Sequence, residues 1–316
     1  MDGSLRTAGI YRRSYSPGSG LLSPTCTLRC TEKSIMTAIL VVNADDFGLT
    51  EGNNRAIVDA HRTGIVTSTS LLANGLAFDH AVSLWRDVPS LGVGVHLTLT
   101  EGPPVARDVD ILLADNGELP LSNQPFVRAL LTGKLPRAMI RREFEAQVRK
   151  VIEAGIQPTH LDGHKYIHLL PGITAIAIEI ARQLAIPVVR VPHGFIDRPS
   201  SIKLKRYIGL MILAGMSRLA YRAIRKTGLK SSEHFAGFMD TGHLDQDIIR
   251  RLLARPRPGV TELLCHPAYP NPDLNVLHYA WIGTYQFAQE TTAVSDPVLR
   301  RDLQAAGWIF RHFGTL

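Results

Sequence analysis

Two adjacent carboxylates, Asp45 and Asp46, follow an apolar, β-rich run that begins at Ala38. Neighbouring acids repel each other, and repulsion together with partial burial raises one of their pKa values unless a cation neutralises the pair. A site that needs a metal ligand beside a general base has a use for two such groups. The pair therefore predicts an active site, and nitrogen ligands should come from elsewhere in the chain.

Histidines follow or close other apolar runs, among them His96, His164 and His266. One carboxylate and two imidazoles from separate strands can hold one face of a divalent metal and leave positions open for water and substrate. We predict that Asp46 and the first two of these histidines form this set. Asp45 could then take a proton from the attacking water, and His266 could protonate a leaving group, which indicates hydrolysis.

The candidate site residues also allow other interpretations of their role. The same ligand set suits non-haem iron oxygenases, and ligand type alone leaves that chemistry open. The aspartates could cap the following helix, and His96 could be a satisfied core histidine. We expect His160 and His168 to be structural or to orient the ligands. The segment 46–48 spells the kinase motif Asp-Phe-Gly, but no glycine-rich loop or His-Arg-Asp loop accompanies it, which excludes a kinase.

The elements that carry these residues alternate between predicted strands and helices, which implies parallel pairing through crossover helices. About seven strands predict a closed or nearly closed (β/α) barrel, with an open doubly wound sheet as the alternative. No Gly-x-Gly-x-x-Gly follows the first strand, which weakens a dinucleotide-binding version of that sheet. The first strand ends at the aspartate pair, and the other predicted strands are 66–72, 91–99, 158–162, 187–191, 235–238 and 260–264; the predicted helices are 51–62, 78–85, 141–154, 173–184 and 244–254.

The chain has 316 residues and a net charge of +7, a length that one barrel commonly fills. Residues 1–35 contain five basic and two acidic residues, lack a sustained apolar run and predict a disordered or non-native leader before a start at Met36. We expect 36–316 to be a single domain with insertions near 101–136 and 201–230. Three cysteines make no disulfide framework, which indicates a cytoplasmic protein.

Five motif blocks stand out between residues 38 and 270: Val42–Leu49, Gly64–Thr69, Gly94–Leu97, Thr159–His164 and Cys265–Pro267. In order and spacing these blocks together resemble the YdjC-like carbohydrate deacetylases. Within that family the motif sequences most resemble the branch associated with hopanoid biosynthesis, and the chitooligosaccharide deacetylases are a close relative.

The resemblance implies an irregular (β/α) barrel of the polysaccharide-deacetylase kind and metal-dependent hydrolysis of N-acetyl groups on amino sugars. Carried over, it makes Asp45 the general base and His266 the general acid, with one divalent ion, magnesium or zinc, on Asp46, His96 and His164. Where relatives often continue with further histidines, this chain has Lys165 and Tyr166. Substrate contacts are expected from Arg190 and Asp162, although Arg190 could instead tune the base or form a structural ion pair.

The stretch 201–230 contains eight basic residues and no acid, and they surround the apolar run 207–216. Ten residues are too few to span a bilayer, which takes about 20. A helix of this composition could lie on an anionic membrane surface or cover a lipid-bearing substrate, or it could simply pack on the barrel. The first reading predicts peripheral contact with the inner membrane face and a glycolipid substrate. The alternatives are a soluble chitooligosaccharide substrate and a barrel that binds sugar or lipid without turnover. We expect a homodimer and no nucleic-acid partner.

Overall fold

The computed structural model describes residues 37–196, 204–277 and 279–316. The predicted leader 1–35 and the first residues of the predicted insertion 201–230 lie outside these ranges.

Seven strands form one parallel sheet: β1 Ala38–Phe47, β2 Ser68–Leu71, β3 Gly92–Leu97, β4 Leu161–Gly163, β5 His234–Ala236, β6 Gly259–Cys265 and β7 Ile309–Phe310. Their order is β4-β3-β2-β1-β6-β5, and β7 pairs with the start of β1. The eight residues from Leu40 to Phe47 of β1 are buried, as are all of β3. Such continuous burial is expected when helices cover the outside of a parallel sheet.

Isolated bridges curl this sheet towards closure. Val189 bridges Leu161 of β4, and Val188 bridges Lys230 shortly before β5. The predicted strand 187–191 therefore exists only as bridging residues, and β7, which the sequence did not predict, completes the count of seven. The prediction of an irregular, nearly closed α/β barrel is confirmed, and the open doubly wound sheet is wrong.

Five predicted helices occur with small changes at their ends. Thr50 accepts a hydrogen bond from the Asn53 amide and caps the first of them, as its position before the helix requires. The helices are α1 Glu51–Thr63, α2 Phe78–Arg86, α3 Gln124–Leu131, α4 Arg137–Glu153, α5 Ile173–Gln183, α6 Leu204–Lys226, α7 Gln246–Leu252, α8 Pro272–Val276, α9 Phe287–Val294 and α10 Pro297–Ala305, and short 3-10 turns cover Asp110–Leu112, His164–Leu169, Ile282–Thr284 and Phe313–Thr315.

The segment 101–136 leaves the barrel after β3 and returns on itself. Backbone hydrogen bonds join Glu101 to Pro120 and Leu119 to Gly102, which closes its base. Its Asn123 side chain donates to the Lys165 carbonyl in the turn after β4. The segment therefore lies against the end of the barrel where the strands finish. Among the described residues, no helix is long and apolar enough to cross a membrane.

Candidate active site

A register irregularity in β1 brings both aspartates to one cavity. Successive side chains on a regular strand point to opposite faces, but the pairing of β1 with β2 shifts between Ala44 and Phe47. Within this interval Asp46 has a φ of 67°, a left-handed conformation that is uncommon outside glycine. A bulge of this kind redirects side chains, and Asp45 and Asp46 both line the cavity as a result.

Three ligand atoms converge at this point. Asp46 Oδ1 lies 3.3 Å from His164 Nδ1 and 3.6 Å from His96 Nε2, and the two nitrogens are 3.3 Å apart. Donor atoms that share an ion at about 2.1 Å are separated by about 3.0–3.4 Å. Asp46 Oδ1 is buried and has no hydrogen-bond partner in the described part of the chain. The three residues therefore fit a divalent metal ion.

A second group, Asp45, His96 and Asp162, also has ligand atoms within reach of one another. Its carboxylate oxygens are already engaged: Asn43 and Arg190 donate to Asp45, and Ser70 donates to Asp162 at 2.5 Å. An ion at this position would have to displace those donors. The geometry therefore favours Asp46, His96 and His164 as the ligand set.

Each candidate ligand histidine has a carboxylate behind it. His96 Nδ1 lies 2.8 Å from Asp162 Oδ1, and β3–β4 pairing places these two residues directly opposite each other. His164 Nε2 lies 2.9 Å from Glu101 Oε2. When an acceptor holds one ring nitrogen, the other is left to bind a metal, and the ring orientation is fixed. Asp162 is thus positioned to orient His96, and we propose this role for it instead of the predicted contact with substrate.

Metal affinity is expected to rise with pH. Burial disfavours the charged imidazole, but the carboxylates of Asp46 and Glu101 outweigh it and raise the pKa of His164 to about 9. A metal must expel that proton, so the affinity should increase about tenfold per pH unit from pH 6 to 8 and level off above 9. Calorimetric titration of Zn²⁺ in buffers with different ionisation heats measures the affinity and the released proton. An affinity that stays constant from pH 6 to 8 would contradict this assignment.

A buried arginine joins the carboxylates behind the site. Arg190 is 1 % exposed, and its Nη1 lies 2.9 Å from both Asp45 and Asp162. Its Nε lies 2.5 Å from Glu262 Oε1. Burial acts against the guanidinium charge, but Asp162 and Asp45 raise the pKa of Arg190 well above its ordinary value. Arg190 was predicted to contact substrate, to tune the base Asp45 or to form a structural ion pair. Its contacts with Asp45 favour the second role.

His266 follows β6 and lines the same cavity, which has a volume of about 260 Å³. Its backbone amide donates to buried Glu290, and its ring makes an edge contact with Tyr285. The Nδ1 atom of His266 has no hydrogen-bond partner among the described residues. Aromatic side chains cover the other walls: Tyr166, Phe238, Trp281 and Tyr285.

The other two histidines of this region are buried below the cavity. Burial lowers the pKa of His160 to about 3 and that of His168 to about 4. His160 Nε2 lies 3.2 Å from Ser70 Oγ, which also donates to Asp162, and His168 Nε2 donates to the Arg190 carbonyl. These contacts support the prediction that both histidines are structural or orient the ligands.

Sequence reasoning missed Glu101, Glu262 and Trp281. Glu101 follows β3 by four residues, so an extension of the strand-end rule into the next loop would have found it. Glu262 lies inside β6 and pairs with Arg190 only through the fold. Trp281 lies on a segment for which no element was predicted.

The model of the YdjC-like protein family matches residues 39–305. The chain belongs to the YdjC-like family.

Curated relatives of this YdjC-like chain carry deacetylase names. A carbohydrate deacetylase of Brevibacillus brevis is 34 % identical over 230 residues, which cover 73 % of this chain and 81 % of the relative. A chitooligosaccharide deacetylase of Klebsiella pneumoniae is 34 % identical over 235 residues, which cover 74 % and 83 %. The predicted family is therefore confirmed, whereas the hopanoid-associated branch stays a prediction.

A solved structure shares the fold of this YdjC-like chain. An Enterococcus faecalis protein named for cellobiose-phosphate cleavage superposes with a TM-score of 0.66 at 22 % identity, covering 88 % of this chain and 98 % of its own. At that identity the likeness supports the barrel architecture alone.

Proposed function

We propose that this chain hydrolyses the N-acetyl group of an amino sugar with the help of one divalent metal ion. The observation that carries the proposal is the convergence of Asp46, His96 and His164 beside the second carboxylate, Asp45, in one cavity. The deacetylase names of its relatives agree with this chemistry. The donor set of one carboxylate and two imidazoles suits zinc, iron or manganese, and the family resemblance also admits magnesium.

An acetamide resists hydrolysis because its carbonyl is resonance-stabilised and its amine leaves poorly. A bound metal would polarise the acetyl oxygen and make water a stronger acid. Asp45, held by Arg190 and Asn43, would take a proton from the attacking water. His266, which lines the same cavity, would give a proton to the departing nitrogen.

The aromatic walls of the cavity suit a sugar. Trp281 stands at an edge of the site with its ring 5.8 Å from that of His164, and it packs against Tyr285 at 5.0 Å. Such rings can cover the apolar face of a pyranose, while a bound acetamide extends towards the ligands. This wall supports an amino-sugar substrate over a linear acetylated amine.

We further propose that the sugar is carried by a lipid, of which an N-acetylglucosaminyl hopanoid is the predicted example. The outer face of α6 exposes apolar side chains: Ile208, Met211, Ile212 and Leu219 are 50, 55, 58 and 64 % exposed. Basic residues continue this face, and 204–226 contains no acid. Such a face suits an anionic membrane surface.

The position of α6 adds to this proposal. The helix packs beside the turn 164–169, which carries the candidate ligand His164. Its exposed basic residues are Arg218, Arg222, Arg225 and Lys226. A membrane in contact with this face would lie beside the wall of the active-site barrel. The soluble chitooligosaccharide substrate is the second candidate, and the Klebsiella pneumoniae relative supports it by name.

Acetate release by the purified protein tests the proposed function. The metal-replete chain should release acetate from an N-acetylglucosaminyl lipid in detergent, and the metal-stripped chain should not. Release from chitooligosaccharides alone would select the soluble substrate. Iron-dependent oxygen uptake without acetate would support the oxygenase reading, and ligand binding without any release would support the non-catalytic barrel.

The double variant Ile208→Ser/Ile212→Ser is expected to lose most of its co-sedimentation with vesicles that contain anionic phospholipid, because it removes apolar surface from the α6 face. Activity on a soluble acetylated sugar should stay within about twofold, since both side chains point away from the barrel. Val298→Ser, an exposed apolar residue of α10, is the matched control. Equal vesicle binding by all three proteins would exclude the membrane contact.

A further inference from the structure

Glu101, the carboxylate behind the candidate ligand His164, is 6 % exposed and contacts more than this histidine. Its oxygens contact donors from two separate segments. His164 Nε2 and Lys165 Nζ come from the turn after β4. Trp281 Nε1, from the aromatic wall, lies 3.1 Å from Oε2 and 3.3 Å from Oε1. Glu101 therefore touches both a candidate ligand and the wall that would face the sugar.

The backbone around Glu101 is held in unusual conformations. Glu101 has a φ of 67° and Lys165 a φ of 49°, both in the left-handed region. Asn74 Nδ2 donates to the Glu101 carbonyl at 2.9 Å, and the Glu101 amide donates to Pro120. Strained residues persist where surrounding contacts over-determine them, and they cluster at functional sites. The hydrogen bonds of the Glu101 backbone therefore help to hold its side-chain carboxylate in position.

The position of this carboxylate decides which nitrogen of His164 faces the ligand set. In the neutral form of the ring, which is the form that binds a metal, Glu101 Oε2 at 2.9 Å from Nε2 keeps the hydrogen on that nitrogen and leaves the lone pair on Nδ1. Nδ1 is the atom that lies 3.3 Å from Asp46 Oδ1. A ring rotated or in the other tautomer would not present Nδ1 to the same point.

We propose that Glu101 is the positioning residue for His164: it fixes the ring and tautomer through which this histidine binds the metal, and it ties Trp281 to the same point. This inference rests on the proposed function for the reaction that the metal would serve. Its test does not depend on that reaction, because metal binding can be measured without substrate. The competing explanation is that Glu101 only closes its loop by pairing with Lys165.

Glu101→Gln should weaken Zn²⁺ binding to the metal-free protein by about 10–100-fold in calorimetric titration, as loss of the partner behind a ligand histidine does. At saturating metal, kcat should return to within about threefold of the parent value, because the residue acts through the affinity of His164. Lys165→Gln removes the ion pair but leaves Glu101 on His164, so its metal affinity should stay within about threefold. Glu118→Gln, an exposed carboxylate of the same segment, is the control.

Equal losses of metal affinity in Glu101→Gln and Lys165→Gln would overturn the proposal in favour of loop closure, and so would an affinity within twofold of the parent in Glu101→Gln. If Glu101→Gln does not fold, Glu101→Asp replaces it, because the shorter side chain keeps the charge but moves it away from His164. Its metal affinity is then compared with that of Lys165→Gln in the same way. A parent that binds Zn²⁺ but releases no acetate would refute the proposed reaction and leave this inference standing.

Discussion

Asp45→Asn is expected to lower the rate of acetate release by about 10²–10⁴-fold, the usual contribution of a positioned general base. The asparagine side chain cannot accept the proton of water, but it fills the same space between Arg190 and Asn43. Metal affinity should change little, because Asp46, His96 and His164 supply the ligand atoms. Acetate release and Zn²⁺ titration of the same preparation measure both effects.

The control is Asp79→Asn, an exposed aspartate of α2, which should leave the rate unchanged. Thermal unfolding of each variant separates a loss of chemistry from a loss of folded protein, since Asp45 also pairs with Arg190. An Asp45→Asn variant that binds metal and retains full turnover would remove Asp45 from the reaction. A variant that loses the metal instead would place Asp45 in the ligand set, together with His96 and Asp162.

The gathering of Asp45, Asp46, His96, His164 and His266 could be predicted from the sequence because the carboxyl ends of parallel strands meet at one end of a barrel. All five line the same cavity. Position along a strand is a local property, so no tertiary information was needed. The residue types placed both aspartates in one site, but the backbone that lets adjacent strand residues face the same cavity could not be predicted. It depends on a bulge and a left-handed residue in β1.

The two carboxylates behind the site differ in how far the sequence could reveal them. Glu262 is an ordinary interior strand residue until β6 is placed beside Arg190, so sequence reasoning could not find it. Glu101 lies close enough to the end of β3 to be a candidate, but its contact with His164 forms only when the turn after β4 folds against it. The strand β7 is two residues long and gives too little periodicity to recognise. By contrast, α10 begins with Asp296 as cap and Pro297 at its first position, a signal that was present but not used.

Arg190 is the only described cation in contact with Asp45, Asp162 and Glu262 together, and this makes it the residue whose loss should cost most stability. The three carboxylates are at most 7 % exposed. Burial and the neighbouring carboxylates raise the pKa of Glu262 to about 8, although Arg190 acts to lower it. Negative charge in this cluster is therefore unfavourable even when Arg190 is present. Without the guanidinium, carboxylates would remain buried without a counter-charge.

Arg190→Met is therefore expected to lower the free energy of unfolding at pH 7 by about 3–5 kcal/mol, the usual cost of breaking a buried ion pair from one side. The unpaired carboxylates would have folded-state pKa values above their unfolded values, so their cost is present at neutral pH and shrinks as pH falls towards 5. Arg250→Met, which breaks an exposed pair with Asp302, should cost about 0–1 kcal/mol and show no such recovery. Urea unfolding at pH 5 and pH 7 measures both. Because the pKa of Glu262 is already about 8 with Arg190 present, this carboxyl should be mostly neutral at pH 7 in Arg190→Met, and adding Glu262→Gln should restore little of the loss. A double variant much more stable than Arg190→Met would show that Glu262 is charged in the fold.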